Sequence, residues 1–326
     1  MTSHVKTLDE HNCEGELKEN IETESWMSSL PASLHHLPIS KLAIPGTHDS
    51  GTFSLSKTLS PDADEHLKCL SKFPLVGPII GSIICNWAQC QKLDFTQQLY
   101  AGIRYFDLRV ATRTGSEDFF LVHTVFGPKI SDLVEAVLMF LEAHSHEVVL
   151  LDLNHFYAME MKDHELLMEY LISKFGSKIC NRCYDISELT LHNLWNHRKQ
   201  VIIFYQSQAA RGIKEFWPAH SIVSPWPNTD QPKACIEYLN QCFSTSHTRN
   251  FKVCQGVLTP TLETIIKGLY HHGNVKTLSE TLLPLLCPWI QHDHACPLTI
   301  VIADFTDKGD LIQEILALNY KRAVSV

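Results

Sequence analysis

Ionisable residues interrupt the apolar runs of this 326-residue chain at only a few places, and their types point to proton chemistry. Pro45-Gly46-Thr47-His48-Asp49-Ser50-Gly51 follows one run, Asp107 and Arg109 sit within another, and His123, the trio Asp152, Asn154 and His155, and Asp304 close three more. Two histidines titrating near neutral pH can take a proton with one ring and supply one with the other, each worth about 10²- to 10⁴-fold in rate. Arg109 offers a planar, permanently charged fork that matches a phosphate or carboxylate. The set suits a phosphoryl centre. Taken singly, each residue also has a structural reading: a strand-end histidine is often simply packed, and Asp107 and Arg109, two apart, could form an ion pair inside a core.

These side chains act together only if the fold brings them to one place. Strands are expected at Leu42 to Ile44, Ile103 to Val110, Phe119 to Val122, Val148 to Leu153, Val201 to Tyr205, Cys254 to Leu258 and Leu298 to Ala303. Between them, Leu133, Val137 and Leu141 share a helical face, as do Leu167 with Leu171 and Ile312 with Leu316. Such alternation implies a parallel sheet covered by helices, and about seven strands in this length suit an α/β fold of the (β/α)8 barrel type. A doubly wound sheet is the competing architecture, but no G-x-G-x-x-G or G-x-x-x-x-G-K-S/T follows the first strand. In a barrel the C-terminal strand ends share one rim, so the residues above converge.

Composition narrows the class further. Hydrophobic residues make up 44% and charged residues 19%, which excludes a disordered or fibrous protein. The net charge of -9 and the lack of Lys/Arg-rich runs argue against nucleic-acid binding. Residues 1–25 hold seven acids against two lysines and read as a solvated tail before a single domain over 26–326. Eleven scattered cysteines suit reduced thiols, and with no secretory signal or N-x-S/T site the cytosol is expected. Cys180 and Cys183 have C-x-x-C spacing without a second pair, and Cys287, His292, His294 and Cys296 could in principle clasp zinc, although proline-flanked loops collect such residues by chance and that plainer reading is preferred. His144 and His146 fall at a helix C-terminus, where the dipole favours them, and His155 and Tyr157 could line the pocket.

The segments IPGTHDSGTF (44–53), AGIRYFDLRV (101–110), LVH (121–123) and VIADF (301–305) together resemble the catalytic X region of phosphatidylinositol-specific phospholipase C. With Ser25-Trp26-Met27, LDLNHFYAM (151–159) and PWPNT (225–229), the chain from Trp26 to Asn319 more narrowly resembles the X-domain-containing proteins of animals. The resemblance implies a distorted TIM barrel. It also implies that His48 deprotonates the inositol 2-hydroxyl, His123 protonates the departing diacylglycerol oxygen, Asp304 orients His48, and Asp49 works with His123. The first product would be an inositol 1,2-cyclic phosphate. Arg109 falls where secreted bacterial members carry arginine and calcium-dependent members carry a ligand, so no cofactor is expected, with Ca²⁺ the alternative.

Asp107, Asn154 and Gln206 are the expected substrate-binding residues; the last two depart from the bacterial lysine and arginine, so head-group contacts must differ. Phosphatidylinositol lipids and a peripheral membrane surface are the expected partners. Phe73 to Cys85 is too short to span a bilayer but lies near the rim, so Leu75, Val76, Ile79, Ile80, Ile83 and Ile84 with Trp87 are expected either to rest in the interface or to pack on the barrel. Two other activities remain open: a metal-dependent glycerophosphodiester phosphodiesterase on a similar barrel, and a phosphoinositide-binding scaffold with weak turnover.

Overall fold

Runs rich in β-branched and aromatic residues form the strands, and because most are covered on both faces they read as nearly continuous apolar stretches. In the computed structural model, residues 21–71, 77–182, 185–245, 250–271, 273–292, 294 and 296–324 are described, except for the side chains of 70–80. Eight parallel strands run in chain order around a curled sheet: β1 (Ile44–Thr47), β2 (Tyr105–Thr112), β5 (Val149–Tyr157), β6 (Val201–Tyr205), β7 (Phe216–Trp217), β8 (Ile222–Val223), β9 (Phe251–Gly256) and β10 (Ile300–Ala303). The first pairs with the last, Ile44 opposite Ile300, which is the closure of a TIM barrel. Among the described residues β7 and β8 do not pair with each other, so the wall is open there and the barrel is distorted.

Helices cover the outside. Ile130–Ala143, Met161–Phe175 and Leu311–Val324 bury the faces that the sequence spacing marks, with Leu133, Val137, Leu141, Leu167, Leu171 and Leu316 each nearly inaccessible. His144 caps the first of these, its Nδ1 2.9 Å from the Phe140 carbonyl.

The structure corrects the expected strands in three ways. Phe119–His123 is not a barrel strand but β3 of an antiparallel hairpin with β4 (Val125–Lys129), which leans on the outer half of β2. The two-residue strands β7 and β8 are too short to show periodicity. β1 starts at Ile44 rather than Leu42 and carries Pro45 and Gly46 inside it; β9 starts three residues before Cys254.

The N-terminal end of the barrel is closed by a buried ion pair. Arg104, just before β2, reaches Glu147, just before β5, at 2.8 and 2.9 Å. Its Nη1 donates to the carbonyls of Leu99 and Ile103 and its Nη2 also to that of Glu24, while Glu147 accepts from the backbone of Met27 and Ser28. Of the tail expected over 1–25, residues 1–20 lie outside the described residues, whereas Thr23 donates to the Tyr100 carbonyl.

Candidate active site

The turn after β1 is built to hold one conformation. Gly46 and Gly51 flank it because an added methyl would fall 2.8 Å from Tyr105 and 2.7 Å from Leu121. Ser50 Oγ donates to the Thr47 carbonyl and accepts from Asp107 N, while Thr52 N and Oγ1 both donate to the Asp49 carbonyl. Asp49 itself has φ +40°, a left-handed conformation that aspartate tolerates better than most residues. Thr124, next to His123, and Phe305, next to Asp304, also have positive φ, at +62° and +49°. Three of the six described non-glycine residues with positive φ are thus at or next to chemistry-bearing residues, a place where such strain is common.

Around Asp49 five of the expected residues meet. His48 Nδ1 is 2.7 Å from Asp304 Oδ1, and its Nε2 is 3.3 Å from Asp49 Oδ2. His123 Nε2 approaches the same oxygen at 3.5 Å from the other side, and its Nδ1 is 2.8 Å from the Ala88 carbonyl. A carboxylate and a carbonyl only accept, so both Nδ1 atoms carry hydrogen, and the two Nε2 atoms are the ones free to exchange a proton. The imidazole centroids are 6.3 Å apart. Arg109 Nε lies 2.8 Å from Asp49 Oδ1, an ion pair whose alignment falls short of a hydrogen bond.

The charges follow from this crowding. Burial pulls His48 towards neutrality, but Asp49 and Asp304 outweigh it and raise its pKa to about 9. Burial likewise opposes ionisation of Asp49, yet Arg109, His123 and His48 hold its carboxyl down at about 2. The resting centre therefore holds a carboxylate between an imidazolium and a guanidinium.

Asp107, Asn154 and Gln206 stand behind this group. Asp107 Oδ2 accepts from Asp49 N at 3.0 Å, and Oδ1 accepts from the Asn154 amide. Leu108 pairs with Leu153 but Arg109 pairs with His155, so Asn154 is the extra residue of a β-bulge that turns it towards Asp107. The structural pair considered for Asp107 with Arg109 is thus replaced by Arg109 with Asp49. Gln206 donates to Asp152 Oδ1 at 2.7 Å, and Tyr105 to Oδ2 at 2.6 Å. Burial raises Asp152 to about 7, opposed by those two hydrogen bonds. His155 is exposed and stacks with Tyr157, their centroids 6.2 Å apart.

Two residues that sequence reasoning missed belong here. Gln91, buried, donates to the carbonyls of His48 and Ala303 at 2.9 and 2.8 Å, tying the end of β1 to the end of β10. Cys90 Sγ lies 3.7 Å from His123 Nδ1. Neither sits in a periodic pattern, so nothing local marks them.

The stretch 73–87 divides. Leu75 and Val76 lie outside the described residues, and the side chains of Ile79 and Ile80 are likewise outside them. Ile84 is buried against Ala88 and Val125, Trp87 packs on Cys90, Val275 and Phe305, and Ile83 is partly buried beside it. Ile84 and Trp87 therefore pack inward, where the helix Gly77–Ala88 meets β4 and the helix Val275–Gln291. Among the described residues an exposed apolar face lies on the helix Leu262–His271, where Leu262, Ile266, Leu269 and Tyr270 fall on one side. No helix among the described residues is long and apolar enough to cross a membrane.

A distorted TIM barrel with two histidines at its C-terminal rim places the chain in the fold class of phosphatidylinositol-specific phospholipase C. The enzyme of that name from Listeria monocytogenes superposes over 92% of this chain and 99% of its own, with TM-score 0.63 at 16% identity. A Staphylococcus aureus phosphatidylinositol-specific phospholipase C gives 0.64 over 92% and 98%, also at 16% identity. By sequence, PI-PLC X domain-containing protein 3 of Homo sapiens is 36% identical over 309 residues, 93% of this chain and 95% of the relative. Protein 2 of Mus musculus is 37% identical over 302 residues (90% and 87%), and protein 1 of Homo sapiens 31% over 310 (91% and 93%). No family model matches the chain. The chain belongs to the PI-PLC X domain-containing protein family.

Proposed function

We propose that the protein cleaves phosphatidylinositol lipids as a metal-independent phosphodiesterase, releasing diacylglycerol and an inositol phosphate by way of a cyclic phosphate. The observation that carries this reading is the convergence of His48 Nε2 and His123 Nε2 on one carboxylate beside Arg109. His48 takes the proton of the inositol 2-hydroxyl, which attacks the neighbouring phosphorus. The nucleophile belongs to the substrate, so no second reactant need be ordered. Arg109 balances the charge that builds on the phosphoryl oxygens, and His123 with Asp49 delivers a proton to the departing diacylglycerol oxygen. With a pKa of about 9, His48 is a strong base once free, but only about one site in a hundred is free at pH 7.

Asp107, Asn154 and Gln206 border the head group in this reading. The lipid surface meets the helix Leu262–His271: Leu262 is 74% and Tyr270 80% exposed, and Ile265 on its inner side packs in the same cluster as Trp87 and Cys90, beside His123. Replacing Leu262 and Leu269 by Glu is expected to lower vesicle binding while leaving the fold intact.

The test incubates the full chain with labelled phosphatidylinositol vesicles, with EGTA or with Ca²⁺, beside His48→Ala and His123→Ala. Cleavage unaffected by EGTA and abolished by both substitutions supports the proposal. Loss of activity restored by Ca²⁺ overturns its metal independence. Silence across lipids leaves the scaffold reading, and a non-cyclic product that needs metal leaves the glycerophosphodiesterase reading.

A further inference from the structure

We propose that the same centre is a binding site for a thiophilic divalent cation of the zinc type, held by His48, Asp49 and Cys90, and that its occupancy blocks the diesterase reaction proposed above. One ligand atom from each of the three residues lies within 4.8 Å of the other two. An imidazole nitrogen, a carboxylate oxygen and a thiol sulfur form the donor mix that zinc favours, whereas calcium takes six to eight oxygens. Ligands about 2.0 to 2.3 Å from a tetrahedral ion sit roughly 3.3 to 3.8 Å apart. His48 Nε2 and Asp49 Oδ2 already stand at 3.3 Å.

Two independent features point to a ligand here. His48 turns its Nδ1 hydrogen onto Asp304 at 2.7 Å, the carboxylate-backed arrangement that fixes a metal-binding imidazole. Asp49 is 2% exposed, and neither of its oxygens accepts a hydrogen bond among the described residues; Arg109 faces Oδ1, which leaves Oδ2 open towards the histidines. The cation would meet Arg109 as a like charge, but a carboxylate and a thiolate together match its two charges. Cys90 is no nucleophile in the free protein, because burial pushes its thiol well above the usual range. Metal binding displaces its proton and that of the His48 imidazolium to solvent, and the fourth position is left to water. His48 Nε2, once bound to metal, can no longer receive the 2-hydroxyl proton.

The experiment takes the full chain, stripped with a chelator, and titrates it with Co²⁺ and then with competing Zn²⁺. One equivalent of Co²⁺ is expected to bind with a thiolate-to-cobalt charge-transfer band in the near ultraviolet, lost on adding Zn²⁺. Cys90→Ser and Cys90→Ala are each expected to lose the band and to bind Zn²⁺ at least tenfold more weakly, with folding checked by circular dichroism; Cys296→Ser is the control thiol and keeps both. Inhibition by Zn²⁺, scored against each variant's own rate on phosphatidylinositol vesicles, is expected to fall in parallel. A band that survives in both Cys90 variants, or Zn²⁺ binding no tighter in the wild type than in them, overturns the site. A wild type that binds one Co²⁺ with the band but cleaves no lipid keeps the site and defeats the diesterase reading instead.

Discussion

The two ends of the barrel each bury an ion pair, and they bury it differently. At the N-terminal end Arg104 and Glu147 are saturated with hydrogen bonds to each other and to backbone. At the C-terminal rim Asp49, equally buried, is held by three cationic or protonatable neighbours and accepts no hydrogen bond among the described residues. A saturated pair has nothing left to exchange and acts as a clamp. A carboxylate held by charge alone in a strained turn can trade partners as a proton or a phosphate arrives.

That contrast can be broken experimentally. The largest effect is expected from His48→Ala, with the rate of lipid cleavage falling by up to about 10⁴-fold while the protein still folds. Glu147→Ala should do the reverse. It strands a buried guanidinium, and denaturant titration is expected to show a loss of about 3 to 5 kcal/mol with the rate per folded molecule retained. Similar rate losses from the two substitutions would erase the distinction. Gln91→Ala leaves the carbonyls of His48 and Ala303 short of a donor at the rim, and the same titration should record about 1 to 3 kcal/mol.

A pH slope in stability follows from the same centre. His48 has a pKa of about 9 in the folded protein against 6.5 unfolded, so the native state keeps a proton that the unfolded chain releases. That stabilisation is complete below pH 6.5 and is lost as the pH rises through 9. Melting curves should therefore show wild-type stability falling across this window, and His48→Ala should flatten the fall. An equal slope in both proteins would place the titration on another group.

Much of the rim is legible in sequence because polar residues at strand ends stand out against apolar runs. His48, Asp49, Arg109, His123 and Asp304 come from four separate segments, and the barrel together with the hairpin on β2 brings them within hydrogen-bonding or ion-pair reach. What is not legible depends on register and packing. The bulge at Asn154 decides which side chain meets Asp107, and no spacing rule announces it. His123 rides on a hairpin because β3 and β4 are separated by Thr124 alone, a link too short for a crossover. Trp87 looks like an interface residue by type but fills a gap over Gly268, where a methyl would come within 2.4 Å of its ring.

Phosphorus NMR follows the bond-breaking step most directly. Phosphatidylinositol in mixed micelles, incubated with the full chain in EGTA, is expected to give an inositol 1,2-cyclic phosphate signal first and the open monophosphate only later, with neither signal from His48→Ala. An open-chain phosphate as the first product, or a cyclic signal undiminished in that variant, would contradict an attack by the substrate's own hydroxyl with His48 as its base.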